Sequence, residues 1–382
     1  MLRFVKVALI FLALLVVNFT HISAQPHVEE SDHNSDERAE QAEHITDNHA
    51  DEKFDAGKYV IEHVSDAYDW HITTIGDKHI SVPLPVILYS KNPELHGGRS
   101  LVVFMSSKFH HANNDYKGYR ISHSEEYEGK IVELDSHGTE IGKPIDLSMT
   151  KTVAGALVAA LVILWLFLSV ARSTRRNTGK APRGLQNLVE PIIIFIRDEV
   201  AKQAIGDKKY EKFMPFLLSL FFFILINNFI GLIPIFPFGA NVTGNISVTL
   251  ALALFTFILT AINGNKHYWK EIYNPEVPWW LKFPIPLMLI VELSGVITKP
   301  FVLMMRLFAN MLAGHLIVMV FVSLIFIFSS TMGAVAGAAI SPVSVAFSVF
   351  ILLLDILVSF IQAYVFTLLS ALYFGMATAE HH

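Results

Sequence analysis

Two apolar stretches near the C-terminus constrain this chain more than anything else in it: Ile285 to Ser330, 46 residues, and Val343 to Met376, 34 residues. A bilayer's hydrocarbon core is ~30 Å thick and is crossed by ~20 helical residues. At ~1.5 Å per residue the first stretch would reach ~70 Å as one helix. It must break midway, at Gly295 or Pro300, or lie steeply tilted. Thr331 to Pro342, rich in Gly and Ala, reads as the turn that joins the two into a hairpin. A standard bundle of upright helices does not explain these lengths.

Charge divides the remainder. Residues 25–150 hold 24 acidic and 11 basic side chains, whereas residues 151–382 hold 10 and 16. After Phe283 the only charged residues are Glu292, Lys299, Arg306, Asp355 and Glu380. The composition describes a polar segment followed by a membrane domain. With no cysteine in the chain, disulfides, thiolate zinc sites and cysteine catalysis are excluded. No basic stripe with interleaved aromatics points to nucleic acid.

Arg3 and Lys6 precede an apolar run of about eleven residues, Val7 to Val17, followed by the small-residue end Ile22-Ser23-Ala24. This is the pattern of an export signal, residues 1–24; a retained short anchor is the alternative. Residues 25–57, with eleven acids, two bases and four histidines (His27, His33, His44, His49), are expected to be an acidic disordered segment. Residues 58–150 read as a small exported β-rich module. Tyr59 to Val64 suggests a short helix, and a further stretch from Ser65-Asp66 includes Trp70 and His71. Strand-like runs follow at His79–Tyr89, Ser100–Met105, Tyr119–Ser122 and Lys130–Leu134, separated by turn signals at Gly97-Gly98, Asn113-Asn114 and Gly138. His110-His111 reads as a surface loop.

Residues 151–382 form the predicted membrane domain. Val153 to Val170 crosses and ends in Arg172, Arg175, Arg176, Lys180 and Arg183, placing that end in the cytoplasm and the N-terminal module outside. Residues 185–206 read as an amphipathic helix on the cytoplasmic face. Phe213–Ile233 and Ser247–Ile262 cross next, and the latter returns to a loop holding Lys266, Lys270 and Lys282. No internal repeat is visible, which weighs against an inverted-repeat transporter.

Ionisable groups within apolar helices cost about 2.5–3.5 kcal/mol each on insertion scales, so they are functional by default. Arg306 cannot lose its proton in a protein. It is a fixed positive charge that attracts a carboxylate and repels mobile cations. At ~100° per residue Glu292 and Asn310 lie about 40° from Arg306, on one face, while His315 points to the opposite side. On the last helix Asp355, Ser359 and Gln362 fall within about 60°. A polar face on each helix suggests an aqueous path lined between them, with His315 and Asp355 handling protons. A hydrogen-bonded interhelical histidine is the other reading of His315. Lys299-Pro300 reads as an interface lysine beside a kink.

Lys299-Pro300 and the run Met305-Arg306-Leu307-Phe308-Ala309-Asn310-Met311-Leu312-Ala313-Gly314-His315 resemble subunit a of the F-type rotary ATP synthase. Asn227-Asn228-Phe229-Ile230-Gly231-Leu232-Ile233-Pro234, Ser247-Val248-Thr249-Leu250 and Phe360-Ile361-Gln362-Ala363-Tyr364 extend the resemblance over roughly residues 150–382. The resemblance implies an all-α polytopic membrane domain with a long tilted helical hairpin, here preceded by the small exported β-rich module. It implies a proton-translocating stator subunit of a bacterial inner membrane, with its C-terminus cytoplasmic. Its partners would be the c-ring, the b-subunit peripheral stalk and the rest of the complex, and it would use no cofactor or metal and do no catalysis of its own. Arg306 matches the arginine facing the ring carboxylate, Asn310 and Gln362 the positions supporting it. Glu292, His315 and Asp355 match polar positions lining the half-channels, and Asn228 one near the outer access path; Ser359 shares the last helix's polar face. The histidine at 315 and the acid at 355 are exchanged relative to many bacterial members. Residues 25–150 lie outside the common family pattern. A proton-coupled secondary transporter is the alternative function. An intramembrane hydrolase has no serine–histidine pairing or HExxH spacing behind it.

Overall fold

The computed structural model describes residues 66–379 apart from short gaps at 76–77, 91, 93, 95–99, 110–113, 123, 125–126, 128, 136, 177–180, 233–238 and 274–286. The expected export signal, acidic segment and Tyr59–Val64 helix lie outside the described residues, as do Gly97-Gly98 and His110-His111.

Helix α1 (Lys151–Arg176) starts where the apolar run begins, and its first turn is capped from the preceding module. The Lys151 amide donates to the Ala67 carbonyl at 2.8 Å, and the Thr152 amide to Asp66 Oδ1 at 3.0 Å. These contacts satisfy two of the four amides that a helix start leaves orphaned. Helix α2 runs Leu185–Phe195, widens into a π-helical stretch over Ile196–Lys202 and closes with Gln203–Ile205 at Gly206, whose φ is 92°. Val189, Ile196, Val200 and Ala201 are buried, while Leu188, Ile194 and Phe195 stay exposed. The helix thus has an apolar outer surface as well as an apolar inner one. Asp198 accepts from Arg197 and pairs with Lys202, and these cations, Arg197 first, hold its carboxyl well below the usual range.

Helices α3 (Tyr210–Leu232) and α4 (Ile246–Asn263) follow, then a short helix α5 (Lys266–Tyr273) where only a loop was expected. Helix α6 (Leu287–Met332) has 46 residues and α7 (Ala334–Thr378) 45. Helices α1, α3, α4, α6 and α7 are each long and apolar enough to cross a membrane. The interior is made largely by α3, whose Phe221, Phe222 and Phe223 are all buried. Phe213 of α3 stacks on Phe374 of α7 at 4.6 Å.

The hairpin excludes one of the two alternatives read from its length and corrects the expected turn. Helix α6 does not break at Gly295 or Pro300; it continues through both. An interior proline forfeits a backbone hydrogen bond, at ~3 kcal/mol or more. Packing of α6 against α7 and α4 holds the helix through it. The turn is also shorter than Thr331–Pro342. Gly333 alone, at φ 89°, reverses the chain, and residues 334–342 are already helical. Alanine is the strongest helix former, so an Ala-rich stretch beside a single glycine extends the helix up to that glycine.

The N-terminal module is β-rich and antiparallel throughout. Strands β1 (Asp69–Ile75) and β2 (Lys78–Pro83) form a two-stranded ribbon. Strands β3 (Pro85–Tyr89), β4 (Leu101–Met105) and β8 (Ile145–Asp146) make one sheet in the order β4-β3-β8. Strands β5 (Tyr119–Ile121), β6 (Ile131–Leu134) and β7 (Glu140–Gly142) make the other. The single expected run His79–Tyr89 is therefore two strands in different sheets. They part at Leu84, between Pro83 and Pro85, where two missing N–H donors interrupt any continuous ladder. Trp70 and His71 belong to β1. Val86, Leu88, Val102, Phe104, Phe109, Tyr119 and Ile131 form the module's core, whereas Trp70 and Leu84 join the core of the membrane helices.

Candidate functional site

Helices α6 and α7 run antiparallel in a constant register. Gln362 Nε2 donates to the Arg306 carbonyl at 3.0 Å, and Phe321 stacks on Phe347 at 5.4 Å nearer the turn. Between these levels Gly314 meets Asp355: a Cβ at 314 would overlap the carboxylate. Arg306 and Gly314 are eight residues apart, so the two levels are separated by ~12 Å along the axis.

The two helices present their polar residues in opposite senses. Arg306 and Asn310 are exposed on the outer surface of α6, with Glu292 half-buried earlier along the helix. Among the described residues no carboxylate pairs with Arg306. Tyr373 of α7 lies close enough to Arg306 to interact with it electrostatically. Asp355, Ser359 and Gln362 are buried on the inner side of α7. The hairpin therefore does not gather all these groups around one enclosed path, as helical geometry alone suggested. It holds the arginine outward and the acid inward. His315 is half-buried, next in sequence to the glycine that receives Asp355.

A second polar chain runs from the hairpin to the loop after α3. Asn228 is 2% exposed; its Oδ1 accepts from Thr243 Oγ1 at 2.6 Å, and its Nδ2 reaches the Ser359 carbonyl at 3.5 Å. Asp355 Oδ2 and Ser359 Oγ are buried with no hydrogen-bond partner among the described residues. The loop at Ala240–Val242 is seated by Gly155 of α1, where a Cβ would come within 2.6 Å of the Ala240 Cβ. Thr243, Gly314 and Tyr373 were not singled out from sequence. Gly314 sits in the quoted motif as a small residue beside His315, which was a usable signal. Thr243 carried none, because its role depends on the loop folding back over Asn228.

Lys299 lies 5.9 Å from the Tyr373 ring centre, beside a small cavity between α4, α6 and α7 that Thr256, Thr260 and Tyr268 also line. Among the described residues, no three His, Asp or Glu side chains converge as a metal site would require.

Comparison with known proteins gives these residues a lineage. The ATP synthase A chain family matches residues 153–375, and a domain family of unknown function matches residues 59–150. The chain is 46% identical over 243 residues to ATP synthase subunit a of Chloroherpeton thalassium, covering 62% of this chain and 68% of that one. It is 41% identical over 261 residues to ATP synthase subunit a of Myxococcus xanthus, covering 65% and 80%. With ATP synthase subunit a of Chlorobium phaeobacteroides it shares 40% identity over 296 residues, 71% of this chain and 82% of the relative. The family match spans every helix from α1 to the C-terminal part of α7, with the outward arginine and the buried acid inside it. On that extent of likeness, the chain belongs to the ATP synthase A chain family.

Proposed function

We propose that this chain is the proton-translocating stator subunit of an F-type ATP synthase membrane sector, working against a rotating c-ring and alongside the b-subunit stalk. The observation that carries the reading is Arg306: an unalterable positive charge in the outward face of an apolar helix, with no carboxylate paired to it among the described residues. Leaving such a group in lipid costs several kcal/mol, and a carboxylate from outside the chain offsets that cost. A ring carboxylate passing along α6 is such a partner, and Asn310, one turn on, stands on the same exposed surface.

In this reading protons enter an outer half-channel, neutralise a ring carboxylate, are carried round in the lipid, and leave by a second half-channel to the cytoplasm. Arg306 separates the two. Its charge favours loss of the proton from the arriving carboxyl and repels a proton taking the direct route. Asn228, Thr243, Ser359 and Asp355 would line the outer path: Asp355 Oδ2 and Ser359 Oγ are buried without partners among the described residues, as groups that ordered water engages are, and the Asn228–Thr243 pair continues from Ser359. Glu292 and His315 would complete the two paths, and Gln362 fixes the α6 backbone at Arg306. The chain performs no catalysis of its own. We assign residues 1–24 to an export signal, 25–57 to an acidic segment, 58–150 to a periplasmic module and 151–382 to the membrane domain. The C-terminus is then cytoplasmic in the bacterial inner membrane.

The test is ATP-driven acidification and passive proton leak in inverted vesicles carrying Arg306→Ala, with the subunit verified beside its ring. Loss of pumping is expected. Normal pumping would overturn the assignment of Arg306 and return a proton-coupled secondary transporter to consideration.

A further inference from the structure

The proton path leaves one cleft unused, the space between α4, α5, α6 and α7 that Lys299 lines. With its open mouth included it measures about 350 Å³, which takes a headgroup and the start of a chain rather than a whole lipid. Phe257, Val296 and Met376 give it an apolar side, and Lys299, Tyr268 and Tyr373 bring an ammonium and two phenols. Among the described residues no acid lines it, and Lys299 meets the Tyr373 ring at 5.9 Å rather than a carboxylate. Acceptors are present too. Pro300 has no N–H to give the Val296 carbonyl one turn back in the helix. Thr260 Oγ1 commits its proton to the Thr256 carbonyl at 2.7 Å, which leaves it lone pairs only.

The cleft lies at headgroup depth. Helix α4 has 18 residues, ~27 Å, about one hydrocarbon core, so its end at Asn263 marks a boundary. Helix α7 reaches the same level, where the Asn265 amide donates to the Ala377 carbonyl at 2.8 Å. Two ammonium groups stand there as well: Lys212 donates to Asn263 Oδ1 at 2.6 Å and Lys209 to the Thr378 carbonyl at 2.8 Å. Thr260 and Tyr373 lie about one turn inside those ends, ~6 Å, and Tyr268 lies beyond them. Beside the cleft Leu254, Ile258 and Ile262 are 38%, 40% and 74% exposed, an apolar strip along α4. We propose that the cleft binds an anionic phospholipid of the phosphoglycerol type. Its phosphate takes the donors Lys299, Tyr268 and Tyr373, its glycerol hydroxyls give protons to Thr260 and the Val296 carbonyl, and its chain lies along Phe257 and the α4 strip. A choline headgroup has no proton for the two acceptors and sets a second cation beside Lys299. A free phosphate leaves the apolar side uncovered. Exposed Lys266 and Lys270 on α5 add attraction for an anionic surface. The leaflet is the cytoplasmic one, which rests on the reading above that puts the C-terminus in the cytoplasm.

The test is photolabelling of the detergent-solubilised complex with a phosphatidylglycerol that carries a diazirine on its acyl chain near the glycerol. The label should fall on the α4 and α6 peptides that line the cleft. Plain phosphatidylglycerol in excess should compete, and phosphatidylcholine and inorganic phosphate should not. In complexes verified as assembled, Lys299→Gln should lower the labelling roughly tenfold, as loss of a charge-assisted contact does. Tyr268→Phe, on the surface helix, should lower it about threefold, and Lys299→Arg should retain it. Unchanged labelling in both Lys299→Gln and Tyr268→Phe would overturn the proposal, as would label confined to other helices or equal competition by phosphatidylcholine. Displacement by inorganic phosphate would also overturn it, by making the cleft a site for free anions. The readout is lipid at α4, so it stands apart from whether Arg306→Ala pumps.

Discussion

At the scale of single residues, geometry separates two kinds of charge that look alike in sequence. Arg306 and Asp355 are both ionisable groups in apolar helices, yet one is exposed and the other 6% exposed against Gly314. The environment decides what each can do: an outward guanidinium meets a partner, while an inward carboxyl has its surroundings set by its own chain. Gly314→Ala should therefore force the Asp355 carboxylate from its seat, with a cost of about 1–3 kcal/mol for overpacking. Thermal unfolding of the purified complex checks the cost, and vesicle pumping should fall with it; unchanged values in both would show that Asp355 re-seats freely. Asn228→Ala should leave Thr243 Oγ1 without its 2.6 Å acceptor and destabilise by roughly 1–3 kcal/mol, read in the same unfolding experiment. The motif around Arg306 was legible in sequence because a rare residue type in an apolar run stands out. Thr243 was not, because threonine in a loop is ordinary until the fold closes the loop on Asn228.

At the scale of elements, the boundary of a helix is decided by which orphaned backbone groups find partners. Helix α1 begins at Lys151 because residues 66 and 67, over eighty positions away, supply its first acceptors. Asp66→Ala should weaken this junction by about 1 kcal/mol, as loss of a helix cap does. Hydrogen exchange at the Thr152 amide should rise, while α3 stays unaffected. The hairpin turn depends on one positive φ. Gly333→Val places a β-branched side chain at φ 89° and should cost about 1–3 kcal/mol, seen as reduced hairpin stability with the rest of the bundle intact. Sequence located both hairpin helices but misplaced the turn. Glycine and alanine were treated alike as turn formers, whereas only glycine has the backbone freedom the reversal needs.

At the scale of the whole molecule, the N-terminal module and the membrane helices share a core through Trp70 and Leu84, so they unfold as neighbours that influence one another. The module carries its own pH limit. Tyr119 is fully buried, and burial together with the Glu133 charge pushes its hydroxyl up to about 12. A raised pKa means the fold favours the protonated form. The contribution is complete below the ordinary tyrosine value near 10 and is lost as pH rises through about 12. Denaturant titrations of the intact protein between these values should show falling stability, and Tyr119→Phe should flatten that slope. At the opposite end, Gly375 lets α7 approach the Ala204 carbonyl of α2, and a Cβ there would overlap that backbone oxygen. Gly375→Ala is expected to displace α2 or cost about 1–3 kcal/mol, measurable as faster exchange in residues 203–205.

The sequence by itself determined that the C-terminal half is a set of membrane-length helices ending in a long hairpin, and that a fixed positive charge stands within it. Both follow from local physics: segment length, apolar content and the cost of a charge in hydrocarbon. It also marked runs that cover β2 to β6, whose alternation is local, but it ran β2 and β3 together across Pro83 and Pro85 and did not mark β1, β7 or β8 as strands. Tertiary structure alone decided which way each polar group faces, that α6 passes unbroken through Pro300, and that Asn228 reaches Thr243. These depend on what packs against what across tens of residues, and an interior proline or a buried amide is tolerable only when a neighbouring element makes up the lost contacts.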